Sequence, residues 1–139
     1  MLMIQGMLMS KLDIDQKNSL YYEFEEGKKN NYTHVFVNAL TGNTSAWNGI
    51  IGKRVKDAGH GYLTYNFRGQ INSSFDESIN LTSEIIISDL LKLINHLNLK
   101  NILLCGLSIG GLYAAIASLE KIDVKGLVLI NTLRNPLQD

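Results

Sequence analysis

The chain has 139 residues, of which 45% are hydrophobic and 19% charged, values typical of one globular domain with a buried core. Thirteen Lys and Arg residues balance thirteen Asp and Glu residues, which argues against nucleic acid or an anionic membrane as a partner. The single cysteine, Cys105, excludes an internal disulfide and a multi-cysteine metal site, and we expect a cytoplasmic protein.

The first eleven residues, MLMIQGMLMSK, are mostly apolar, but their basic residue follows the apolar run and no small-residue cleavage pattern accompanies it. We therefore expect residues 1–11 to be a ragged N-terminus rather than a signal peptide. No uninterrupted apolar run of the sequence approaches the ~20 residues of a membrane-spanning helix. We expect no membrane span and a single domain over residues 1–139.

The next part of the chain predicts strands separated by turns and one weak helix. Residues 20–24 carry three aromatic residues before a polar turn, and we expect residues 12–15 to be their hairpin partner. Residues 34–40 (HVFVNAL) are apolar on both faces, as a central parallel strand is. Another strand is predicted at 61–67 (GYLTYNF). The weak helix between them has one predicted apolar face, made of Trp47, Ile51, Val55 and Ala58.

The C-terminal half predicts strands that alternate with longer helices. Residues 83–99 have helical periodicity, and strands are predicted at 102–105 and 124–130, the last of them buried. The helix at 110–119 is predicted to face the core with Leu112, Ala115, Ile116 and Leu119. This alternation is typical of βαβ units, so we expect an α/β fold with a mostly parallel, doubly wound sheet.

A lone serine stands between glycines where the strand at 102–105 meets the following helix. A dinucleotide-binding fingerprint needs glycine where Ser108 stands, and a phosphate loop needs a lysine after its last glycine, so neither motif matches. The pattern that matches is G-x-S-x-G, from Gly106 to Gly110. In a nucleophile elbow the strained turn exposes the serine hydroxyl beside N–H groups that can bind an oxyanion. The alternative is a serine that only fills a tight corner.

Together with the loops described next, this motif makes the chain resemble the α/β-hydrolase superfamily from about residue 20 to its end. NALTG at 38–42 is similar to the family's His-Gly loop after the third strand, with Asn38 and Ala39 in place of His and Gly. NFRG at 66–69 is similar to the Asp-x-Arg-Gly loop after the fourth strand, with Asn66 in place of Asp. The resemblance implies a sheet of α/β-hydrolase type that is truncated after the strand following the elbow helix.

The resemblance also implies roles for individual residues. Ser108 would be the nucleophile, and the backbone N–H groups of Leu40 and Ile109 would form the oxyanion hole. Gly106 and Gly110 would be the elbow glycines. Further residues of the same loops would support the site: Asn38, Asn66 and Arg68.

The sequence offers no general base for this serine. His34, His60 and His96 all lie near the amino ends of predicted strands, whereas the reactive groups of a parallel sheet gather at the carboxyl ends. A strand of five residues spans roughly 16 Å, so none of the three reaches the elbow. We interpret Asp76 and Asp89 as solvated charges and expect the triad acid and histidine beyond residue 139.

These observations predict the N-terminal part of a serine hydrolase that acts on an ester, thioester, lactone or related small acyl compound through an acyl-enzyme at Ser108. We expect this chain alone to be inactive and to need no cofactor or metal. Two alternatives stay open: an acyltransferase or lyase of the same fold, and a non-catalytic binding module or pseudoenzyme. The sequence predicts no oligomeric state.

Overall fold

The described residues of the computed structural model, 1–4 and 6–132, form one seven-stranded sheet with helices on both faces. The strands are β1 (Leu2–Ile4), β2 (Met7–Asp13), β3 (Ser19–Glu25), β4 (Thr33–Val37), β5 (Gly61–Tyr65), β6 (Ile102–Leu107) and β7 (Val124–Ile130). The helices are α1 (Ser45–Asn48), α2 (Ile50–Asp57), α3 (Ser83–His96) and α4 (Ile109–Ala117).

The sheet is mixed, and in its parallel part strands alternate with helices along the chain, as the sequence predicted. The strand order is β1-β2-β3-β5-β4-β6-β7. The pairs β1–β2, β2–β3 and β3–β5 are antiparallel, while β5–β4, β4–β6 and β6–β7 are parallel. Helices α3 and α4 pack on one face with the larger core, and α1 and α2 pack on the other around Phe36, Trp47 and Tyr62. The predicted α/β fold is confirmed.

The N-terminus differs from the expected ragged segment, because Leu2–Ile4 and residues 7–11 lie in the strands β1 and β2. Strand β2 pairs with β3 along its whole length, from Met7 opposite Glu25 to Asp13 opposite Ser19. Leu8 and Leu12 pack against the larger core. The end of β2, at Leu12 and Asp13, does lie in the hairpin partner that was predicted at residues 12–15. Residues 7–11 of the strand were missed because their apolar and polar residues do not alternate, while the pairing depends on backbone hydrogen bonds to β3.

The predicted helix from Trp47 to Ala58 is two helices, because the chain breaks at Gly49. Trp47 is buried as predicted, but Ile51 is 41% exposed and Ala58 is exposed. Gly52 faces the sheet instead, where a Cβ atom would lie 2.9 Å from the ring of Tyr62. The close contact with that ring, rather than an apolar stripe, decides which face of α2 turns inward.

Helix α4 turns a different face to the core than the one predicted. Leu112 and Ala115 are only half-buried, Ile116 is 39% exposed and Leu119 is 84% exposed. The residues that α4 buries are Gly110, Gly111, Tyr113, Ala114 and Ala117. The first turn of α4 touches the backbone of β4, and only small residues allow that approach.

Strand β7, predicted to be buried, is largely exposed. Leu127, Val128, Leu129 and Ile130 are between 37% and 48% exposed. The reason is its position at the edge of the sheet, where β6 is its only pairing partner among the described strands.

Asp89, interpreted from the sequence as a solvated charge, is buried and paired. Its two carboxylate oxygens accept hydrogen bonds of 2.6 and 2.8 Å from Nε and Nη2 of Arg68. Only 7% of the Arg68 side chain and 3% of the Asp89 side chain are exposed. This bidentate pair ties the loop after β5 to α3, whose predicted apolar stripe is buried at Ile86, Leu90, Leu93 and Ile94.

Within residues 1–4 and 6–132, no helix combines the length and the apolar character needed to cross a lipid bilayer.

Replacing Asp89 with alanine should lower the free energy of unfolding by about 3–5 kcal/mol, because it leaves a buried guanidinium without its partner. Urea denaturation measures this change. Asp57→Ala is the matched control, because it removes a partner from the exposed Lys53–Asp57 pair and should cost less than about 1 kcal/mol. Equal decreases in the free energy of unfolding of the two variants would show that the buried pair is no more important for stability than the exposed one.

Candidate active site

The candidate site is built on a sharp turn between β6 and α4. The strand ends at Leu107, the helix begins at Ile109, and Ser108 alone forms the connection with φ +57° and ψ −123°. Its N–H donates to the carbonyl of Ile130 at 2.9 Å, and its carbonyl accepts from Gly111 N–H at 3.0 Å. A positive φ in a residue with a side chain costs about 1–3 kcal/mol, so surrounding contacts must hold it.

Two glycines supply those contacts by letting backbone pack on backbone. A Cβ atom on Gly106 would lie 2.4 Å from the carbonyl oxygen of Gly110, so the end of β6 meets the first turn of α4 directly. A Cβ atom on Gly110 would lie 2.4 Å from the carbonyl oxygens of Val37 and Asn38. The elbow is therefore pressed against the carboxyl end of β4, from which the loop at 38–42 departs.

A third glycine, which the sequence did not single out, packs against a side chain rather than against backbone. A Cβ atom on Gly111 would lie 2.0 Å from Oγ1 of Thr132, just after β7. In the sequence, two glycines follow Ile109, and the G-x-S-x-G pattern includes only the first of them. The second one, Gly111, was the signal for this contact.

Asn38 anchors the loop after β4 from inside the protein. The side chain is 1% exposed, and its Nδ2 donates to the carbonyl of Tyr65 at 2.8 Å and to Oδ1 of Asn66 at 3.1 Å. Its Oδ1 accepts a 2.7 Å hydrogen bond from Nε1 of Trp47. Trp47 was interpreted from the sequence as a core residue, so this polar contact was missed.

Asn66 joins the same network from the loop after β5. Its Oδ1 also accepts from the N–H of Thr44 at 3.0 Å, and its Nδ2 donates to the carbonyl of Ile71 at 2.7 Å. Both asparagines are neutral, and they stand where the related family pattern has His and Asp. The two loops are therefore joined by hydrogen bonds without a charge.

Arg68 and Ser73 hold the loop after β5 on its other side. The hydrogen-bonded carboxylate of Asp89 raises the pKa of Arg68, which points to α3 rather than to the elbow. Oγ of Ser73 donates to the carbonyl of Asn66 and accepts from the N–H of Tyr21, both at 2.9 Å. These contacts position the loop but bring neither side chain to Ser108.

The two backbone groups singled out as oxyanion donors lie in the loop after β4 and at the start of α4. Leu40 is 68% exposed in a turn closed by a 2.9 Å hydrogen bond from Gly42 N–H to the carbonyl of Ala39. Within the described chain its N–H makes no hydrogen bond. Ile109 is the first residue of α4, so its backbone N–H has no acceptor within the helix. It also lies at the positive end of the helix dipole.

The three histidines lie at the opposite end of the strands. His34, near the start of β4, is paired in the sheet with Leu103, and its ring centre lies 5.6 Å from that of His60. His96 is the last residue of α3, which returns the chain toward the start of β6. In the part of the chain that the structure describes, no group forms a hydrogen bond with Oγ of Ser108.

Cys105 is the other potential nucleophile near the elbow, and its surroundings make it unreactive. Burial raises the pKa of its thiol to about 11, so it stays protonated at neutral pH. Among the described residues, no three or more His, Cys, Asp and Glu side chains are grouped so that they could hold a metal ion.

A sequence profile of the alpha/beta hydrolase fold family matches residues 35–138. The match covers the elbow, both loops and most of the sheet, so the chain belongs to this family and the resemblance seen in its motifs is confirmed. No curated protein matches the sequence.

Solved structures agree with the family. The chain is 25% identical to a carboxylesterase of the thaumarchaeon Nitrososphaera gargenis, with a TM-score of 0.79 over 89% of this chain and 46% of that one. It is 26% identical to mouse alpha/beta hydrolase domain-containing protein 10, with a TM-score of 0.72 over 90% of this chain and 50% of that one. The chain thus spans about half the length of these relatives.

Gly106→Ala should destabilise the fold by about 3 kcal/mol or more, because the new Cβ atom would overlap backbone atoms that cannot move aside. Thermal and urea unfolding measure the loss. Gly126→Ala, on β7, is the control: its new atom would meet only the flexible end of Leu103, at 3.2 Å, and the change should stay within about 1 kcal/mol. A Gly106→Ala variant as stable as Gly126→Ala would contradict the packing argument.

Proposed function

We propose that this chain carries the nucleophile and the oxyanion hole of a serine hydrolase that acts on a small acyl compound. The observation that carries the proposal is the backbone of Ser108, held at φ +57° between β6 and the N-terminus of α4. The backbone contacts of Gly106 and Gly110 stabilise a strained conformation that a residue filling a corner does not require.

In the proposed reaction, Oγ of Ser108 attacks the acyl carbon of an ester, thioester or lactone. A new Oγ–C bond forms as the carbonyl oxygen becomes an oxyanion, and the bond to the leaving oxygen or sulfur then breaks. The serine proton passes to a histidine base and from there to the leaving group. A water molecule then gives a proton to the same histidine and attacks the acyl carbon. The bond to Oγ breaks, the carboxylic acid product leaves, and the histidine returns the proton to Ser108.

The N–H groups of Leu40 and Ile109 are the proposed donors to the oxyanion. Gly110 contacts the carbonyl oxygens of Val37 and Asn38. This contact holds the start of α4, which carries Ile109, beside the end of β4, which leads into the loop that carries Leu40. The dipole of α4 adds positive potential at the Ile109 end. Loss of one such donor typically lowers kcat by about 10²–10³-fold.

The base and the acid are proposed to come from residues after 139 in the complete protein. His34, His60 and His96 do not approach Ser108, and the solved relatives are about twice as long as this chain. A cavity of about 300 Å³ between residues 40–43 and 69–71 opens beside Leu40 and would receive part of a small substrate. The carboxylesterase among the similar structures supports acyl chemistry.

A fluorophosphonate probe should label Ser108 in the protein translated from the complete reading frame that contains this chain. The 139-residue chain should be labelled at least about 100-fold more slowly, because it lacks the base. Mass spectrometry of the labelled peptides identifies the modified residue.

Ser108→Ala should abolish labelling, whereas Ser118→Ala, which changes a serine at the other end of α4, should leave it intact. Labelling that persists in the Ser108→Ala protein would show that another residue is the nucleophile. A complete protein that reacts with neither the probe nor p-nitrophenyl butyrate would favour a non-catalytic binding module.

A further inference from the structure

Gln70 connects the two loops of the candidate site with a single side chain. It is half-buried in the loop after β5, and its Oε1 accepts from the N–H of Phe67 at 2.8 Å and from Nδ2 of Asn38 at 3.1 Å. Its Nε2 donates to the carbonyl oxygens of Ala39 at 3.2 Å and of Leu40 at 3.0 Å. Three of these contacts, to Asn38, Ala39 and Leu40, cross from one loop to the other.

The contact with Ala39 acts on the peptide group that contains the Leu40 N–H. The carbonyl of residue 39 and the N–H of residue 40 belong to one planar trans peptide, so they point in opposite directions. Gln70 and the N–H of Gly42 both hold this carbonyl, at 3.2 and 2.9 Å. Rotation of the Leu40 N–H would break both hydrogen bonds, so its direction is fixed.

We propose that Gln70 is a positioning residue that aims the Leu40 N–H as an oxyanion donor through the peptide of Ala39. This role rests on the hydrolase function proposed above. The task needs one group that accepts two hydrogen bonds and donates two, and a primary amide provides this without a charge. The donors and acceptors that it contacts are backbone groups and the amide of Asn38.

Replacing the Gln70 amide with a carboxyl group distinguishes the hydrogen bonds that the side chain accepts from those that it donates. An ionised carboxylate still accepts from Phe67 N–H and Asn38, but it repels the carbonyl oxygens of Ala39 and Leu40. A protonated carboxyl donates one hydrogen bond again. Every residue lining the cavity beside Gln70 is uncharged, and Arg68 nearby is engaged by Asp89. Gln70→Glu therefore adds a titratable group where the described lining residues have none.

The first experiment follows the Leu40 amide by ¹H–¹⁵N NMR in the 139-residue chain as the pH is varied. In Gln70→Glu its resonance should move in one titration step between about pH 4 and 8, as the carboxylate turns the peptide. The unmodified chain and Gln16→Glu, which places the same charge on an exposed turn, should show no such step. A Leu40 resonance unaffected by the Gln70→Glu titration would overturn the proposal.

The second experiment measures p-nitrophenyl butyrate hydrolysis in the protein from the complete reading frame. Gln70→Met, which keeps the volume but makes no hydrogen bonds, should lower kcat about 10- to 100-fold and leave KM nearly unchanged. This loss is smaller than the roughly 10²–10³-fold loss of a removed donor, because the Leu40 N–H remains present but is less firmly aimed. Relative to the unmodified protein at the same pH, Gln70→Glu should regain kcat as the pH falls through the pKa of the new carboxyl, and Gln70→Met should not.

The outcomes separate the two proposals. If the unmodified protein hydrolyses the ester and its Ser108 reacts with the fluorophosphonate, an unchanged kcat in folded Gln70→Met overturns the role of Gln70 alone. If Ser108 of the unmodified protein does not react, the hydrolase function is overturned as well. Circular dichroism of each variant confirms that it is folded.

Discussion

Direct backbone contact at the start of α4 determines the rest of this site. Gly106 lies against Gly110, and Gly110 lies against the last residues of β4, at distances that leave no room for a Cβ atom. This packing holds Ser108 in its strained conformation and brings the N-terminus of α4 to the loop that carries Leu40. A larger residue at either glycine would open the turn and, at the same time, move the two proposed oxyanion donors apart.

The loops around the elbow are held by neutral hydrogen bonds. Asn38, Asn66 and Gln70 each both donate and accept, and they link the ends of β4 and β5 where the related pattern has a His and an Asp. Amides do not titrate, so the hydrogen bonds among Asn38, Asn66 and Gln70 should be independent of pH. The buried Arg68–Asp89 pair acts on the other side of the loop, between it and α3.

From β3 onward, the order of the strands and of the two longer helices was predictable, as was the turn at Ser108, because these features depend on local pattern. The inward faces of α2 and α4 were not, because Gly52 and Gly110 face inward through contacts with neighbouring strands rather than through an apolar stripe. The Arg68 partner of Asp89 and the partners of Gln70 in the loop after β4 were also hidden from the sequence, since they lie 21 and about 30 residues away along the chain. Only the fold brings these groups together.

The most direct test of the account is a crystal structure of the complete protein after reaction with a fluorophosphonate. The account predicts a bond from phosphorus to Oγ of Ser108 and a phosphoryl oxygen within about 2.7–3.1 Å of the backbone nitrogens of Leu40 and Ile109. A phosphoryl oxygen that points to solvent, or a probe attached to a different residue, would contradict it.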